Sequence, residues 1–145
     1  MSSLTLFEAA GGAAAFLALA ADHHERCVAD PELNHPFSKD DLDPEHVARL
    51  AAYVAEVMGG PPSGLEHAAV LVMHAGNGDM TDLGRRFVRC FDEAVAATLP
   101  ADEALRKAFH DYMEWAVADV LAHEEVEDVP ASVPVPRWTW DGLAR

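Results

Sequence analysis

The chain is short of basic residues. Lysine and arginine together number 10 against 25 aspartates and glutamates, a formal net charge of −15. Nucleic-acid and anionic-membrane partners are held by clustered Lys and Arg, so this balance argues against both and reads as a solubility device. Cysteine is scarce: Cys27 and Cys90 lie far apart, each among apolar residues at helical spacing. They make no zinc pattern and are expected to be buried, reduced thiols of a cytosolic protein. Aromatic residues are 8% of the chain and no stretch alternates β-branched with polar residues, so no sheet is expected. A membrane span is missing too. Residues 9–21 are nearly all apolar, but the run is too short to cross a bilayer. Glu8 precedes it instead of basic residues, and Asp22, His23 and His24 follow directly, so it reads as a buried helix and not as a signal peptide. The expected location is cytoplasmic.

What is present is hydrophobic and rich in alanine. Half of the 145 residues are hydrophobic, enough for one domain with a single core. Alanine is the best helix former, and the apolar residues recur at helical spacing. Thr5 and Glu8 have capping-box spacing, and Gly11–Gly12 stop a very short first helix. A second helix is predicted over about Ala13–Ala29, with Phe16, Leu17, Ala20, Ala21, His24, Cys27 and Val28 on one face. His24 falls at the centre of that stripe and His23 at its edge. Asp30–Pro31 ends this helix, and an irregular stretch runs to Asp43. Asp43–Pro44–Glu45 starts another, with His46, Leu50, Tyr53, Val54 and Val57 on one face and Gly59–Gly60 as its stop. A short helix over about residues 65–74 aligns His67, Val70, Leu71 and His74, and a glycine-rich loop after Gly76 leaves His74 at its end. Helices over about residues 81–99 and 102–123 follow, with stripes Leu83, Phe87, Cys90, Phe91, Ala94 and Leu105, Phe109, Tyr112, Ala116, Val120. Residues 1–124 form the expected domain. Residues 125–145 are an acidic, then proline-rich tail whose Trp138 and Trp140 should pack on the body, because exposed tryptophan is costly.

Eight histidines are the chemical feature. Their spacing makes neither a zinc set nor a di-iron set, because there is no His-Glu-x-x-His and no repeated Glu-x-x-His. His24, His46 and His74 each lie on the apolar face of a separate predicted helix. Each buried imidazole needs a partner. A haem pocket is one arrangement that supplies such partners; satisfied core histidines are another.

Over residues 6–121 the chain resembles the truncated haemoglobins, most of all group II. The resemblance is carried by Leu6–Phe7, Gly11–Gly12, Val28–Ala29–Asp30–Pro31–Glu32–Leu33, Phe37, Asp40–Asp41–Leu42, Gly59–Gly60–Pro61, His74, and Arg89–Cys90–Phe91 through Ala94. It implies an all-α, two-over-two helical sandwich holding haem b, with His74 as the proximal iron ligand. Phe37, Leu50, Tyr53, Leu71 and Phe87 would line the haem, and Arg49 would reach a propionate. His24 and His46 would stand on the distal side. Three departures from the family's pattern stand out. His23–His24 replace a usual Phe–Tyr, Val72 and Met73 replace residues that are often basic, and Phe87 replaces a Trp. They remove a distal phenol, propionate contacts and an indole donor.

Three functions stay open, because fold does not fix function. The first is a haem protein binding O2, NO or a similar ligand at pentacoordinate or weakly hexacoordinate iron. The second is a haem-dependent oxidoreductase, peroxidase-like or NO-detoxifying, with His24 and His46 as acid–base groups and a redox partner. The third is a haem-free accessory protein. The partners expected are a small diatomic or peroxide ligand, with no nucleic acid and no membrane.

Overall fold

Thr5 starts the first helix as its spacing predicts. Its hydroxyl accepts from the Glu8 amide at 3.1 Å, and the Glu8 carboxylate accepts from the Thr5 amide at 3.0 Å. This capping box opens α1 (Leu6–Ala10), which ends at Gly11 in the left-handed conformation, φ 119°. Thr5→Ala is expected to cost about 1 kcal/mol. In a chain of this size that lowers Tm by about 2–4 °C in a thermal melt.

The computed structural model describes residues 4–31, 46–65, 67, 81–122 and 134–144. After α1 come α2 (Ala13–Ala29), α3 (His46–Val57), α4 (Thr81–Thr98) and α5 (Glu103–Leu121), and then two short strands, β1 (Arg137–Thr139) and β2 (Gly142–Ala144). Helix α2 packs on both α3 and α4, and α4 packs on α5. Phe16, Leu19, Val57, Met58, Phe91, Leu105 and Phe109 fill the space between them. Phe16 bridges Phe7 and Phe109, at 5.5 Å and 5.7 Å between ring centroids. Helix α1 docks on the turn after α3, where the Phe7 amide donates to the Met58 carbonyl at 2.9 Å. Gly60 makes room for it, because a Cβ there would lie 2.7 Å from the Phe7 ring.

The buried side of α2 differs from the predicted one. Phe16, Leu19, His23 and Cys27 are buried, whereas Leu17 is 49% and Val28 36% exposed. The alanine-rich sequence is apolar nearly all round, so its stripe has no sharp centre. The partners on α3 and α4 choose the face, and they choose His23 in place of His24.

The expectation of no sheet is corrected by β1 and β2. They form an antiparallel hairpin with Trp138 opposite Leu143 and Thr139 opposite Gly142. Gly142 leaves the turn at φ 104°, a conformation open to glycine. Asp141–Gly142 is a short hairpin signal that proline counting overlooks. Trp138 is buried against Tyr112 and Trp115, at 5.7 Å and 5.9 Å. The Trp140 indole N–H donates to the Leu4 carbonyl at 3.0 Å. The expected boundary at residue 124, the irregular stretch before Asp43, the Asp43–Pro44–Glu45 helix start and the loop after Gly76 lie outside the described residues. No described helix is long and apolar enough to cross a membrane.

Candidate functional site

Helix α2 brings His23 under α4. Its Nε2 lies 3.1 Å from the Phe87 carbonyl oxygen, and its ring edge meets Phe87 and Phe91, at 4.4 Å and 5.2 Å. A carbonyl only accepts, so Nε2 carries the proton in this bond. Burial lowers the imidazole's pKa to about 4, with the bond to Phe87 opposing the shift. His23 is therefore a neutral group at neutral pH. Beside it Cys27 and Cys90 pack with Leu83 and Phe87. Both thiols are free and buried, and burial raises both above the usual thiol range, which makes them poor nucleophiles.

His67 is the second buried imidazole. Its Nε2 lies 2.7 Å from Asp119 Oδ2 on α5, and its Nδ1 meets the Tyr53 hydroxyl from α3. An ionised carboxylate can only accept, so the Nε2–H donates to Asp119; Nδ1 is then the acceptor for the Tyr53 O–H. The ring stacks between Tyr53 and Trp115, with centroids 6.2 Å and 6.3 Å away. Burial raises the Tyr53 phenol above its ordinary value, so it stays protonated. His110 is the half-exposed case: Nδ1 lies 2.9 Å from Asp92, and Nε2 lies 3.1 Å from Glu114. The bond to Asp92 raises its pKa.

The sequence-predicted site residues fall into two groups. On the described part, His24 is half-buried on α2, Arg49 is exposed and Leu50 half-buried on α3, Tyr53 is buried, and Phe87 is half-buried on α4. Tyr53 is drawn to His67, and Phe87 to His23. Phe37, Leu71 and His74 lie outside the described residues; His46 opens α3, and its side chain lies outside them too. His23, His67 and His110 commit ring nitrogens to protein partners. Among the described residues no group of three His, Cys, Asp or Glu could hold a metal ion. A haem iron asks less of the protein, a single imidazole.

Sequence reasoning missed the link of Tyr53, His67 and Asp119, whose members stand 14 and 52 residues apart. One signal for it existed. Asp119 sits seven residues after Tyr112, which puts a carboxylate on the apolar side of the last helix.

The chain's sequence matches the family model of the bacterial-like globins over residues 5–118. Its structure is similar to the group II truncated hemoglobin from Bacillus anthracis, with a TM-score of 0.71 and 17% identity over 83% of this chain and 92% of that one. It is also similar to the group II 2-on-2 hemoglobin from Agrobacterium tumefaciens, with a TM-score of 0.67 and 23% identity over 83% and 95% of the two chains. For the thermostable hemoglobin from Thermobifida fusca the values are 0.65 and 24%, over 81% and 97%. No curated protein matches the chain. At these identities the structures speak for the fold, which is all-α with a short hairpin in this chain.

Proposed function

Because the chain belongs to the bacterial-like globin family, we propose that it is a haem protein that binds a small ligand such as O2 or NO at pentacoordinate or weakly hexacoordinate iron. The observation that supports this most is the family match over residues 5–118. The nitrogens of His67 and His110, and Nε2 of His23, already have protein partners. The family match spans His74, which the resemblance to group II assigns to iron. Bound haem b would supply the iron site at which a diatomic ligand is held.

The chain's own residues would do the rest. His74 would hold the group. His46, which opens α3, and His24, half-buried on α2, would offer hydrogen bonds to ligand. Exposed Arg49 on α3 would hold a propionate. Leu50 on α3 and Phe87 on α4, both half-buried, contribute apolar walls.

The test is the absorption spectrum of the purified protein, oxidised, reduced and with carbon monoxide. A Soret band that shifts with carbon monoxide is expected, and a chain that takes up no haem sinks the proposal. His24→Phe and His46→Leu are expected to change azide affinity of the ferric protein by about tenfold, the worth of one hydrogen bond to a charged ligand. If neither changes affinity or spectrum, the distal assignment is wrong.

A further inference from the structure

Tyr53, His67 and Asp119 form a hydrogen-bonded series between α3 and α5, with both ring nitrogens of His67 in use. We propose that this series is a proton-coupled redox site, in which Tyr53 gives one electron to an outer-sphere one-electron oxidant at the protein surface as its hydroxyl proton passes to His67. One O–H bond breaks and one N–H bond forms at Nδ1. The products are a neutral tyrosyl radical, an imidazolium and the singly reduced oxidant, and no proton leaves the protein.

The geometry supplies what such a step needs. Tyr53 is 4% exposed, so a phenoxide or a phenol cation there would be a poorly solvated charge. Electron and proton must therefore depart together, and the proton must have an acceptor already in place. Nδ1 of His67 faces the hydroxyl, and the imidazolium formed would keep its bond to the Asp119 carboxylate 2.7 Å away, now charge-assisted. A network that only satisfied buried polar groups would not also need a route for electrons, and one is present. His67 stacks on Trp115 at 6.3 Å, and Trp115 lies 5.9 Å from Trp138. Trp138 and Trp140 line an open cleft of about 250 Å³ together with Lys107 and Asp111. The series thus runs from α3 to the surface through two indoles. Its last member, Trp138, belongs to the hairpin, beyond the 5–118 span of the family match.

The experiment uses an external oxidant, photogenerated tris(bipyridine)ruthenium(III), so that it reads this site independently of haem. Electron paramagnetic resonance after a flash reports the radical, and transient absorbance gives its rate. The chain has two tyrosines, Tyr53 and Tyr112, which makes the assignment simple. A tyrosyl signal is expected in the wild type and in Tyr112→Phe and is expected to vanish in Tyr53→Phe. Formation should slow in heavy water, and Trp115→Phe should slow it further. His67→Gln should lower the rate by about a hundredfold, the usual worth of a positioned proton acceptor. Asp119→Asn should slow it less, with melting curves confirming that each variant is folded. Absence of the wild-type signal, its survival in Tyr53→Phe, or a wild-type rate without a solvent isotope effect each overturns the proposal, whether or not the histidine variant folds. A missing Soret band, by contrast, counts only against the haem reading.

Discussion

Substituting His74 by alanine is expected to remove the Soret band of the purified protein, whereas His67→Ala keeps the band and loses stability instead. On the predicted helix the two histidines share a face, two turns apart, and spacing does not rank them. The resemblance to group II does, and the bonds of His67 support it. To bind iron, His67 would have to surrender its bond to Tyr53 or the one to Asp119. Each such loss leaves a buried polar group short of a partner, at about 1–3 kcal/mol. Truncating His67 removes both bonds and the stacking on Trp115, for a loss of about 3–5 kcal/mol, as for other broken buried pairs. That corresponds to a Tm lower by about 6–20 °C in a domain of this size. Haem content per chain and the thermal midpoint, measured on both variants, separate the roles. Loss of haem in the folded His67 variant, with retention in the His74 variant, would reverse the assignment.

The second large effect is on acid stability and comes from His23. In the folded protein its pKa is about 4, against 6.5 for the free side chain, chiefly because of burial. Above pH 6.5 both folded and unfolded chains carry a neutral imidazole, so His23 adds no pH dependence there. As pH falls from 6.5 towards 4, the unfolded chain takes a proton that the folded one refuses, and stability drops. Below about 4 both forms are protonated and the loss levels off. The shift corresponds to about 3 kcal/mol across that window. His23→Phe restores the residue the resemblance leads one to expect and abolishes this titration. It leaves the Phe87 carbonyl without the imidazole, so the variant starts lower at neutral pH and gains on the wild type as pH falls. Urea unfolding between about pH 4 and 7 checks this; parallel curves for the two proteins would refute it. His110 acts in the opposite sense. Its raised pKa gives stability that is complete below its unfolded value and fades as pH rises through the folded one. His110→Gln should remove that component alone.

The helix ends were legible because their chemistry is local. Thr5 and Glu8, Gly11–Gly12, Asp30 and Asp102 each act within a turn of the backbone they cap, and α1, α2, α4 and α5 begin and end within two residues of the positions expected. The stripes of α4 and α5 were legible too. Asp119 apart, their charged residues sit on one side, and Phe91, Ala94, Leu105, Phe109 and Tyr112 are buried as predicted. Helix α2 was not, because alanine on most of its surface blurs the division between inside and outside. The hairpin was missed for a different reason. Prolines ahead of it masked a turn that needs only Asp141–Gly142 and a buried partner for Trp138.

From the residue order alone follow the helical character of this protein, the ends of α1, α2, α4 and α5, and the motifs that tie it to the bacterial-like globins. Those features depend on residues a few positions apart, where spacing and geometry are the same thing. Only the tertiary structure decided that His23 is the buried neighbour of Phe87 and that His67 lies between Tyr53 and Asp119. Only it seated Trp138 against Tyr112 and Trp115. An imidazole's role is set by what meets its two nitrogens, and here those partners come from other helices, as far as 64 residues away along the chain.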